Sequence, residues 1–82
     1  MNYRGRMFNV KIEGDIIVKM WCKEWTDETR VFEAVDGNSG YLDIDWMEFS
    51  DQVALGRITM LTEEEQLNVV QKVQKNIEIA TA

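Results

Sequence analysis

The chain has 82 residues, 45% of them hydrophobic, with nine basic and fifteen acidic groups, no His and one Cys. A chain of this length buries only about 60 to 70% of its unfolded surface, which argues against a deep catalytic cleft. Its three Trp and three Phe exclude a disordered acidic tail, and no apolar run approaches the roughly 20 residues that span a bilayer.

The opening "MNYRGRMFNV" lacks the apolar stretch and small-residue cleavage pattern of a signal peptide, and the single Cys22 has no partner for an internal disulfide. Both observations predict a cytoplasmic protein. Next, "RMFNVKIE" alternates, with Phe8, Val10 and Ile12 on one side and Met7, Asn9 and Lys11 on the other, the pattern of a half-buried strand. "EGD" marks a turn, and "IIVKMWCKEW" is the returning strand. A two-residue turn would pair Ile12 with Ile17 and set Lys19, Trp21 and Lys23 beside Phe8 and Val10. A three-residue turn pairs Ile12 with Ile16, so that Phe8, Val10, Ile12, Ile16, Val18, Met20 and Cys22 share one apolar face. Register follows the buried face, which selects the second pairing and puts Asp15 in a left-handed turn position.

"TDET" reads as a polar turn, "RVFEAVD" as a third strand, "DGNSG" as a hairpin turn, and "GYLDIDW" as a short strand with Leu42 and Ile44 inward and Tyr41 and Asp43 outward. The period then changes. Trp46, Phe49 and Val53 fall at helical spacing, with Asp43 or Asp45 as cap and Gly56 as terminator. "RITM" is a strand fragment or a connector. In "LTEEEQLNVVQKVQKNIEIATA", Thr62 and Glu65 form a capping box, and the acids "EEE" sit at the positive end of the dipole. Lys72 and Lys75 lie nearer the other end, and Leu67, Val70, Val73 and Ile77 supply an apolar stripe for packing on the sheet. No linker or Pro-rich segment divides the chain. The expectation is one α+β domain over residues 1–82, a three- to four-stranded antiparallel meander followed by two helices, the second packed on the sheet.

No signature of chemistry emerges. "DGNSGYLDIDWMEF" resembles a calcium-binding loop, but with Asp36 first, Tyr41 falls where the sharp turn needs Gly and Met47 where a bidentate Glu belongs. Moving Gly40 to the turn position puts Val35 first and Trp46 last. Without His, the usual general base and zinc ligand are missing, Cys22 falls on the apolar face, and the acids Asp43, Asp45 and Glu48 read as a solvated rim. The chain is therefore expected to be non-enzymatic, with no catalytic residues, metal or cofactor.

The remaining feature is the far side of the hairpin. Met7, Ile17, Lys19, Trp21, Lys23 and Trp25 form an apolar and aromatic stripe edged by lysines, the composition of a partner-binding surface. Residues 1–25 carry a net +2 and residues 26–82 a net −8, a balance that disfavours nucleic acid. In size and charge alone the chain resembles small acidic accessory proteins of phages and mobile elements, a likeness that assigns no residue a role. The sequence thus predicts a protein-interaction module, of adaptor or inhibitor type, that binds another protein through the Trp/Lys face. Two alternatives are a homo-oligomer built on the same face or a free sheet edge, and an acidic DNA mimic that occupies a DNA-binding protein.

Overall fold

The computed structural model describes residues 2–37 and 40–81, those from 73 onward by backbone course alone. Its elements run β1 (Met7–Lys11), β2 (Ile17–Trp25), β3 (Thr29–Ala34), β4 (Tyr41–Asp45), α1 (Trp46–Ala54), β5 (Ile58–Met60) and α2 (Glu63–Thr81). The strands make one antiparallel sheet in the order β4-β3-β2-β1-β5. The architecture is α+β, with five strands where the sequence suggested three or four. "RITM" supplies the fifth, and its three residues are too few to show a periodicity. It pairs with β1 because α1 returns the chain to that edge.

The first hairpin adopts the expected register, which buries Phe8, Val10, Met20 and Cys22 and half-buries Val18, whereas Ile12 and Ile16 beside the turn stay exposed because nothing packs over that end. Phe8 faces Met20, Val10 faces Val18, and the Ile12 N–H donates to the Ile16 carbonyl at 2.8 Å. Asp15 takes φ 61°, the left-handed position that the three-residue turn requires, directly after Gly14 at φ 70°. Phe8, Val10, Met20, Cys22, Phe32, Ile44 and Ile58 form the buried cluster on this core face, each large side chain contributing about 1.5 to 3 kcal/mol.

Strand β2 changes faces partway along. Cys22 lies opposite Phe32 but Glu24 lies opposite Val31, so Lys23 is the extra residue of a β-bulge. Residues beyond the bulge point to the opposite side from the one that simple alternation gives. Trp25 therefore joins the core face, meeting Tyr3 edge-on at 5.2 Å and Phe49 at 5.2 Å, with the Arg30 guanidinium 3.7 Å above its ring.

Helix α1 covers this end of the core face through Phe49, which stacks on Phe32 and meets Phe8 edge-on. Asp45 caps it, its carboxylate accepting from the Glu48 N–H at 2.8 Å, and Gly56 in a left-handed conformation ends it. Of the expected contact residues, Trp46 and Val53 remain exposed.

Helix α2 begins with the reciprocal capping box. Glu65 N–H donates to Thr62 Oγ1 at 3.2 Å, and Thr62 N–H donates to Glu65 Oε1 at 3.1 Å. These hydrogen bonds, first the backbone one from Thr62, hold the Glu65 carboxyl below its ordinary range. The helix docks on the other, outer face, but not by the expected stripe. Gln66 Oε1 accepts from Met7 N–H (3.0 Å) and Arg6 Nε (3.2 Å), and Val69 is half-buried, whereas Leu67 is 55% exposed and Val70 is also exposed. The side chains of Val73, Lys75 and Ile77 lie outside the described residues, as do Asn38 and Ser39 of the "DGNSG" turn.

Candidate functional site

The outer face is defined by one transverse row of paired residues. Tyr41 on β4 lies opposite Glu33 on β3, Glu33 opposite Trp21 on β2, and Trp21 opposite Met7 on β1; the Leu61 N–H then donates to the Met7 carbonyl. One end of this row is covered and the other is open. Met7 is only 4% exposed and Leu61 is fully buried, because Gln66 ties the start of α2 over them. Trp21 is 43% exposed and Tyr41 64%.

Of the six residues predicted for the stripe, the structure brings four together. Ile17, Lys19, Trp21 and Lys23 lie along the outer side of β2, with Ile17 56% exposed. Met7 belongs to the same face but is buried under α2. Trp25 is removed from it by the bulge at Lys23 and packs in the aromatic cluster of the core face. Simple alternation carried past Cys22 put Trp25 on the wrong side, since a single inserted residue leaves no mark in the period of two.

Tyr41 is the member that sequence reasoning missed. Its outward orientation was legible from "GYLDIDW", but its place beside Trp21 depends on the β2-β3 and β3-β4 registers. Two strand spacings put the rings about 10 Å apart across the sheet, and four residues along β2 put Ile17 about 13 Å from Trp21. The result is three exposed apolar side chains on one face, with Glu33 between Trp21 and Tyr41 and Lys19 between Ile17 and Trp21.

Of the lysines around this patch, Lys23 is paired. Lys23 Nζ sits 2.8 Å from a Glu33 carboxylate oxygen, and that hydrogen bond and charge push the ammonium up from its ordinary value. Lys19 lies close enough to the start of α2 to act on Glu65. With Lys23 paired to Glu33, the exposed apolar area is the more distinctive feature of this face.

The other candidate groups have structural work. Burial pushes the Cys22 thiol up, and its Sγ donates to the Glu24 carbonyl at the bulge, so it is poorly disposed as a nucleophile. Asp45 is the cap of α1. Among the described residues, no group of three or more Cys, Asp or Glu side chains converges as a metal site would, and no helix is long and apolar enough to cross a membrane.

Compared with known protein families, curated proteins and solved structures, the chain finds no match in any of the three.

Proposed function

We propose that the protein is a non-enzymatic interaction module that binds another protein through the open part of the outer sheet face, with Trp21, Ile17 and Tyr41 as its anchors. The observation that supports this reading is that three large apolar side chains, Ile17, Trp21 and Tyr41, share one sheet face and remain exposed although α2 lies on the same face over Met7 and Leu61. Large aromatic side chains held on a rigid sheet lose little freedom on binding, and such residues carry most of the energy in protein interfaces. Lys19 and Lys23 frame the patch and fix the partner's orientation; because Glu33 already pairs with Lys23, that lysine adds little affinity.

The test is capture of partners by tagged protein, comparing wild type with a Trp21→Ala/Ile17→Ala variant at low and high salt, after circular dichroism shows that both fold. A protein held by wild type through high salt and lost by the variant supports the apolar patch. Retention by the folded variant removes it. Light scattering at rising concentration then separates a foreign partner from a second copy, because only self-association raises the mass of the purified chain.

A further inference from the structure

The opposite face carries a second opening. Between α1 and the hairpin end of the sheet lies a cleft of about 400 Å³, floored by Val10, Met20, Ile44 and Ile58, bordered by Glu48 and Gln52 of α1, and closed on the side away from β4 by Lys11 and Arg57. It exists because α1 is short and docks through Phe49 at the other end, and because two small residues, Ala34 and Gly40, stand where β3 and β4 cross this region. A Cβ at Gly40 would meet Met20 Cε only at ordinary contact, 3.8 Å; its φ of 143°, rather than space, is what favours glycine there.

The cleft reaches β4, an outermost strand of the sheet. The Ala34 N–H donates to the Gly40 carbonyl, and antiparallel alternation then points the backbone groups of Gly40, Leu42 and Ile44 toward β3. Those of Tyr41 and Asp43 point away from the sheet. Beside them, Leu42 and Ile44 face the cleft and Tyr41 and Asp43 face the outer side.

We infer that this edge binds an extended segment of another protein as a sixth strand, with apolar residues at alternate positions entering the cleft and basic residues between them lying beside Asp43 and Tyr41. The backbone of Tyr41 and Asp43 supplies the hydrogen bonds, the cleft selects the apolar positions, and the acids select the basic ones. Charge decides against a second copy as the occupant. Two β4 strands side by side would bring Asp43 and Asp45 of each against the other, which prevents self-pairing of the edge. A basic segment meets the same groups favourably, with Tyr41 offering its ring face to a cation.

The probe is a fluorescein-labelled peptide, Lys-Val-Lys-Ile-Lys-Val-Lys, read by fluorescence anisotropy against wild type and three variants. Asp43→Pro removes an outward N–H without touching the β3 ladder, Gln52→Trp fills the mouth of the cleft, and Trp21→Ala alters only the outer patch. The expected result is saturable binding to wild type and to Trp21→Ala, weakened about tenfold or more by each of the other two. A peptide of the same composition without alternation, Lys-Lys-Val-Ile-Val-Lys-Lys, should bind at least about tenfold more weakly. Exchange measurements should show the Tyr41 and Asp43 amides of wild type becoming protected when the alternating peptide is added. Equal binding of the two peptides, or unchanged exchange at both amides, overturns the inference and reduces the effect to net charge. Because Trp21→Ala should still bind the peptide, failure of the outer-face reading and failure of this one are separable.

Discussion

The two faces of the sheet are built from the same strands yet are covered in different ways. Under α1, Phe8, Phe32, Phe49 and Trp25 meet at ring separations of 5.2 to 6.2 Å. Under α2 the contact is made by an amide and a valine, and two tryptophans four residues apart on β2 end in opposite environments. Aromatic packing holds one helix; hydrogen bonding from Gln66 holds the other. The face with the weaker cover is the one on which Ile17, Trp21 and Tyr41 stay exposed.

The contrast can be tested most strongly at its two extremes. Phe32→Ala should cost about 3 to 5 kcal/mol, enough to leave a domain this small largely unfolded, since Phe32 is fully buried. Trp21→Ala should change stability by less than about 1 kcal/mol. Comparable losses in urea melts of the two variants would break the distinction between the faces.

The bulge gives the next effect. Trp25→Ala should cost about 2 to 3 kcal/mol, because it empties one side of the aromatic cluster and strips the Arg30 guanidinium of its ring. If Trp25→Ala and Trp21→Ala melt together, the bulge does not turn the strand.

Gln66→Ala leaves the Met7 N–H without its acceptor and should cost about 1 to 2 kcal/mol, felt first as faster amide exchange in α2. Exchange in α1 should stay as slow as in wild type.

The capping box is sensitive to pH. Glu65 is held below its ordinary pKa of 4.5, so its contribution is complete above that value and is lost as pH falls through the lower folded value. Helicity at 222 nm should therefore drop in acid. Thr62→Ala, at a cost of about 1 kcal/mol at neutral pH, should remove most of that dependence. The smallest effect belongs to the first turn. Asp15→Gly relieves a left-handed non-glycine residue and should stabilise the fold by a few tenths of a kcal/mol, about the difference between the strain removed and the entropy added to the unfolded chain.

Much of this was legible before any coordinates. The hairpin register followed from burying Phe8, Val10, Val18 and Met20 together, and that choice correctly put Asp15 in the left-handed region. The caps at Asp45 and Thr62 were readable because each is settled within four residues. The candidate site was legible only in part. Ile17, Lys19, Trp21 and Lys23 were found by alternation, while Met7 was lost to a cover that depends on a glutamine 59 residues away, and Tyr41 was gained only through two successive strand registers.

The sequence by itself determined the α+β class, the first hairpin with its turn, the helix starts, and the outward side of β2 as far as Cys22. These rest on local periodicity and on hydrogen bonds between near neighbours. Tertiary structure alone decided that Trp25 turns inward, that "RITM" closes the far side of the sheet, and that α2 docks by Gln66 and Val69 rather than by Leu67 and Val70. Each of those outcomes depends on which partner a residue meets across the sheet. A bulge, an edge pairing and a helix rotation each move whole side chains from one face to another while leaving the local pattern unchanged.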